Sequence, residues 1–155
     1  MSRRLFLLGG VLTMASFSAR ARPCGPTRVL FVCPAGSVKS AIAREELKKV
    51  SSERGVKVIV ASRGIQPENH ISSQLSARLQ RDGIDPLAEP LQKFATADAG
   101  RADITIAFDD AADAPGLEKA RKWVVASWNT QYDDAKSDTL ENIERLLAEI
   151  RQRSC

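Results

Sequence analysis

Apolar positions along the chain gather into four short runs, separated by longer stretches with a helical period. The runs are residues 28–33 (RVLFVC), 56–61 (VKVIVA), 102–108 (ADITIAF) and 122–128 (KWVVASW). Runs of this length and composition suit strands covered on both faces. Between them, Ile42, Leu47 and Val50 recur among charged positions, predicting a helix over residues 40–54 that Gly55 stops. Leu75 and Leu79 stand four apart and predict a second helix over residues 72–81, closed by Gly83. Residues 84–94, with Pro86 and Pro90, are irregular. Asp138 is predicted to cap a last helix whose stripe is Leu140, Ile143, Leu146, Leu147 and Ile150. Strands alternating with helices predict an α/β fold, doubly wound, with a four-stranded, mainly parallel sheet and helices on both faces. A length of 155 residues suits one domain.

The first residues break this pattern. Met1 to Arg4 is basic, residues 5–18 are mostly apolar and small, and Ala19-Arg20-Ala21 is a small-x-small end. That is the anatomy of a signal peptide over residues 1–21, leaving residues 22–155 as the folded domain. The apolar run is short for a bilayer span, so no stable membrane anchor is expected. Ser2-Arg3-Arg4-Leu5-Phe6-Leu7 resembles a twin-arginine signal, and Sec export stays open beside it. The product is expected in the periplasm or secreted. Its loss of Arg3, Arg4 and Arg20 and of no acid lowers the net charge from +4 to +1. So neutral a surface, without a basic run, speaks against nucleic-acid binding. Cys24, Cys33 and Cys155 all remain. The topology predicts both termini at the sheet end opposite Cys33, so Cys24 and Cys155 are candidates to pair, against the alternative of two free tail thiols.

The chemistry concentrates after the first strand. In open α/β sheets, sites form beyond the carboxyl ends of strands, and Cys33 stands at such an end. Pro34, Ala35, Gly36, Ser37, Val38, Lys39 and Ser40 follow and run straight into a helix. Successive backbone N–H groups in such a turn, together with a helix N-terminus, seat a tetrahedral anion and favour the nucleophilic thiolate. The local reading leaves alternatives open. Cys33 also fits a buried strand end, and Lys39 fits a solvated first-turn lysine as well as an anion ligand. Arg63 reads as a surface residue or a substitute guanidinium. Asp109 reads as a loop-ordering residue, and His70 as a structural or helix-start residue without metal-ligand spacing. Neither a metal nor a cofactor is implied.

The stretch VLFVCPAGSVKSAIAREELKKV resembles the opening of the low-molecular-weight protein-tyrosine-phosphatase and thioredoxin-coupled arsenate reductase superfamily, whose signature is strand, C-x5-R-[ST], helix. Ser62-Arg63-Gly64, Asp82-Gly83-Ile84-Asp85, the run from Ala102 to Asp109, Trp128 and the closing helix continue the likeness in order. The resemblance implies that Cys33 attacks phosphorus to form a cysteinyl-phosphate and that Ser40 stabilises its thiolate. It also implies that Gly36 takes a left-handed position, which glycine adopts without strain.

Two positions depart from the family pattern. Lys39 replaces the signature arginine, exchanging a planar fork for a point charge. No Asp-Pro follows the last strand; Asp133 and Asp134 are the carboxylates available as general acid, or else solvated loop residues. The leading expectation is an exported phosphatase-like protein that hydrolyses a phosphorylated small molecule or phosphoprotein, phosphotyrosine included, with activity weakened by these changes. The second is a non-catalytic oxyanion-binding module. Arsenate reduction is a poorer third, because no cysteine between Cys33 and Cys155 can take up the oxidising equivalent.

Overall fold

The structure, a computed structural model, describes residues 25–153. Residues 1–21, where a signal peptide is expected, and Cys24 and Cys155, the candidates to pair, lie outside the described residues. In chain order the elements are β1 (Thr27–Cys33), α1 (Lys39–Glu53), β2 (Val58–Gly64), α2 (Ser73–Arg81), α3 (Thr96–Arg101), β3 (Ile104–Phe108), β4 (Arg121–Trp123) and α4 (Tyr132–Arg153), with a 3-10 turn at Asp109–Asp113. The strands form one sheet in the order β2-β1-β3-β4, and every pairing is parallel. The predicted α/β class and its four-stranded sheet are therefore present.

Period-two alternation sorts β1 between two cores. Val29, Phe31 and Cys33 face the larger one, with Ile42 and Leu47 of α1, Leu75 and Leu79 of α2, and Ile143, Leu147 and Ile150 of α4. Leu30 and Val32 face the smaller one, with Ala107, Ala111 and Leu117. Phe31, Phe108 and Trp123 bring rings from three neighbouring strands to centroid separations of 5.5 to 6.1 Å. This places rigid aromatic packing one pleat below Cys33.

Several element boundaries differ from those expected. β2 begins later and runs on through Ser62, Arg63 and Gly64, residues whose polarity disguised a strand. Ser62 is buried because its hydroxyl accepts a 2.8 Å hydrogen bond from Arg44, itself 2% exposed. α3 was not expected; it has six residues, buries none of them and offers no apolar stripe. β4 has only three residues, because Val125 and Trp128 enter the core from irregular backbone beyond the sheet edge. α4 starts at Tyr132, six residues before Asp138. Asp138 lies inside the helix, and its carboxylate accepts from the Ala126 N–H at 3.0 Å, holding the preceding segment rather than capping.

Candidate active site

The carboxyl ends of β1, β2 and β3 lie at one edge of the sheet, since all the strands are parallel. Cys33 ends β1, and the turn to α1 must fold back over it. Gly36 makes that possible with φ +75°, a left-handed conformation. It also lies so close to the end of β2 that an added Cβ would meet Gly64 N at 2.8 Å. Gly64 answers in kind, since a Cβ there would meet the Ala35 carbonyl carbon at 2.8 Å. Two glycines therefore face each other where the loop crosses the sheet edge. The segment after β2 clamps the loop from outside. Gln66 N–H donates to Pro34 O at 2.9 Å and Glu68 N–H to Ala35 O at 3.0 Å.

Within the loop, the Gly36 N–H donates to Cys33 Sγ at 3.2 Å, and Ser40 Oγ lies 3.0 Å from that sulfur. Both contacts are buried, and Cys33 is 3% exposed. The sulfur thus has a backbone N–H donor and a hydroxyl beside it at the N-terminal end of α1. No side chain caps α1 at Val38, so its first-turn N–H groups remain available to an external acceptor. Cys33, Pro34, Ala35, Val38 and Lys39 form one wall of a cavity of about 570 Å³. Gln66, Glu68 and His70 form the second, and Asp109, Ser127, Trp128 and Asn129 the third. Gly36, Ser37 and Ser40 stand behind this surface. Ser37 Oγ accepts from the His70 backbone N–H at 3.0 Å, so it braces the loop rather than facing the cavity.

Lys39 lines the cavity, but its ammonium group is already engaged. Nζ donates to Asp109 Oδ1 at 2.7 Å and to Val125 O at 2.8 Å. Asp109 receives it from a left-handed position, φ +55°, at the end of β3. Lys39 thus ties the start of α1 to the segments after β3 and β4. Arg63, the possible substitute guanidinium, turns away from Cys33 to Asp98 at 3.2 Å and to the Ser62 carbonyl at 2.8 Å. Partial burial works against charge on Asp98, but the Ala95 N–H, Arg101 and Arg63 outweigh it and hold its carboxyl below the ordinary range. Arg63 is therefore a surface anchor for α3.

Asp133 and Asp134 are not in a loop. They occupy the exposed first turn of α4, where carboxylates suit the helix dipole, and neither lines the cavity. Of the residues after β4 that line the cavity, Ser127, Trp128 and Asn129, none is a carboxylate; the Asn129 amide donates to His70 O at 3.1 Å and accepts from Ser72 N–H at 3.2 Å. Tyr132 is buried and directed elsewhere, its hydroxyl donating to Asp82 at 2.5 Å. Gln66, Glu68 and Ser127 had no signal in local sequence. For Gln66 and Glu68 the one clue is the polar, proline-bearing stretch directly after β2, at the sheet end where sites collect, and Ser127 was hidden in an apolar run expected to be strand.

The family model for low molecular weight phosphotyrosine protein phosphatase matches residues 28–145. No curated protein matches the chain. Among solved structures, YfkJ from Bacillus subtilis is similar with a TM-score of 0.62 at 19% identity, covering 84% of this chain and 98% of its own. A low molecular weight protein tyrosine phosphatase from T. tengcongensis gives 0.62 at 19% identity, covering 82% of this chain and 99% of its own. The Corynebacterium glutamicum thioredoxin-dependent arsenate reductase Cg_ArsC1' gives 0.63 at 20% identity, covering 83% of this chain and 63% of its own. At such identities these likenesses establish the fold, and the family assignment rests on the model that spans β1 to the middle of α4. The chain belongs to the low molecular weight phosphotyrosine protein phosphatase family, with a lysine, Lys39, at the arginine position of its signature.

Proposed function

We propose that the protein is an exported phosphatase that hydrolyses phosphomonoesters through a cysteinyl-phosphate on Cys33. The observation that carries this is the pair of contacts on the sulfur, from the Gly36 N–H and the Ser40 hydroxyl, beside an uncapped helix N-terminus. In the first step the Cys33 thiolate attacks phosphorus; an S–P bond forms, the P–O ester bond breaks, and the leaving oxygen takes a proton. In the second step water attacks phosphorus, the S–P bond breaks, and phosphate leaves. The loop N–H groups and the α1 N-terminus stabilise the equatorial oxygens throughout. The partner is a phosphorylated small molecule or phosphoprotein, met in the periplasm or outside the cell.

A specific observation favours a second reading. Lys39 is held by Asp109, and the side chains after β4 that line the cavity, those of Ser127, Trp128 and Asn129, include no carboxylate. A site so arranged suits retention of an oxyanion without turnover. Comparing p-nitrophenyl phosphate hydrolysis by the wild type and Cys33→Ser separates the two. Turnover lost in Cys33→Ser supports the phosphatase. A wild type that binds phosphate but releases no nitrophenol supports the binding module.

A further inference from the structure

We propose that His70 is the proton donor to the leaving oxygen, with Glu68 orienting its imidazole; this rests on the phosphatase reading above. Loss of the ester oxygen from phosphorus requires a proton whenever the alcohol is a poor leaving group. The residues after β4 do not supply it. Asn129 has both ends of its amide bound, and Asp133 and Asp134 lie on α4 outside the cavity. The charged groups that share the cavity with His70 are Glu68, Asp109 and Lys39, with Cys33 as the nucleophile. Lys39 and Asp109 are committed to each other at 2.7 Å. Glu68 and His70 remain, and they form a pair.

His70 Nε2 lies 3.0 Å from Glu68 Oε2. Its Nδ1 has no protein partner among the described residues. In the imidazolium form, Nε2–H is held by Glu68 while Nδ1–H remains to be given away. The backbone of this pair is referenced directly to the phosphate loop. Glu68 N–H bonds Ala35 O, His70 N–H bonds the buried Ser37 hydroxyl, and Asn129 holds His70 O from the opposite wall. These bonds fix the backbone of the pair relative to the loop that seats the phosphoryl group; the imidazole, 55% exposed, reaches the cavity from there with Glu68 as its side-chain partner. As the P–O bond breaks, the Nδ1 proton passes to the ester oxygen and leaves a neutral imidazole. That imidazole then takes a proton from the water that attacks the cysteinyl-phosphate, which restores the starting state.

The test compares leaving groups. Phenyl phosphate needs protonation at its oxygen far more than p-nitrophenyl phosphate does. His70→Gln should slow kcat/KM for phenyl phosphate by on the order of a hundredfold, and at least tenfold more than for p-nitrophenyl phosphate. It should also remove the alkaline limb of the pH profile. Glu68→Gln should move that limb and slow phenyl phosphate less than His70→Gln does. Equal losses on both substrates, or an alkaline limb that survives in His70→Gln, would overturn the assignment while leaving the phosphatase standing. Absence of Cys33-dependent turnover in the wild type would overturn both. Tungstate affinity and thermal unfolding of each variant separate a lost proton donor from a displaced loop.

Discussion

The Ser40 hydroxyl stands between two acceptors, 3.0 Å from Cys33 Sγ and 3.3 Å from the Arg63 carbonyl oxygen. With Cys33 as a thiol, the hydroxyl donates to the carbonyl and accepts from S–H. With Cys33 as a thiolate, it turns and donates to sulfur. The hydroxyl is therefore a rotor whose better position depends on the charge of its neighbour. Ser40→Ala should slow alkylation of Cys33 by iodoacetamide by roughly tenfold or more near neutral pH, the worth of about 1.5–3 kcal/mol for a hydrogen bond to a charged group. An unchanged alkylation rate would show that Ser40 plays no part in activating the sulfur.

Gly36 and Gly64 are predicted to be the least replaceable residues of the site outside its chemistry. Gly36→Ala places a Cβ 2.8 Å from backbone at a φ of +75°. Left-handed backbone costs a non-glycine residue about 1–3 kcal/mol before the overlap is relieved. The expected loss is a Tm lower by roughly 5 °C, together with weakened tungstate binding. Gly83→Ala is the control, since it shares a left-handed φ of +73° but meets nothing within 4 Å. It should lower Tm comparably or less and leave anion binding intact.

The Lys39–Asp109 pair predicts an effect opposite in sign to that of most site substitutions. Asp109→Asn frees the Lys39 ammonium for an anion, and asparagine tolerates the left-handed φ. Phosphate affinity should rise about two- to fivefold at low salt, matching an exposed ion pair worth up to about 1 kcal/mol, and the gain should shrink as salt is added. Lys39→Arg should raise turnover more in the Asp109→Asn background than alone, because the fork is then not spent on the carboxylate. Isothermal titration and steady-state kinetics on the three variants decide it.

A pH-dependent anchor sits away from the site. Lys136 and Tyr132 donate hydrogen bonds to Asp82 and hold its carboxyl below the ordinary range. Burial, followed by the hydrogen bond to Asp82, pushes the Tyr132 hydroxyl well above its usual range. A depressed carboxyl contributes stability that is present above its unfolded value and lost as pH falls through the folded one. A raised phenol contributes stability that is present below its unfolded value, about pH 10, and lost as pH rises beyond it. Urea unfolding should therefore show falling stability below about pH 4 and again above about pH 10. Tyr132→Phe should remove most of the alkaline fall and only part of the acid one. A Tyr132→Phe variant with the wild-type alkaline slope would contradict the link.

How much of this was legible in sequence depends on the distance between the residues concerned. Cys33, its loop and α1 are contiguous, so strand, turn and helix announced themselves in one stretch. α4 was legible through its stripe, but its start was not. Residues 132–138 are polar except for Tyr132 and Ala135, and only packing of those two against the core extends the helix backward. The second wall of the cavity was hidden for another reason. Glu68 and His70 meet the loop only because β2 lies beside β1 in a parallel register that pairs Cys33 with Gly64. No spacing within a single segment encodes that meeting. Trp128 was expected to end the fourth strand; it lies instead on irregular backbone beyond β4, buried beside Tyr132 with ring centroids 5.2 Å apart.

The central claim is that Cys33 carries the phosphoryl group between substrate and water. The most direct measurement is acid quenching of the protein during turnover of p-nitrophenyl phosphate, followed by mass spectrometry of its peptides. The account predicts one phosphoryl group on the peptide that contains Cys33, absent in Cys33→Ser and accumulating further when His70→Gln slows the second step. Hydrolysis that continues in Cys33→Ser, with no phosphoryl group on that peptide in the wild type, would contradict it.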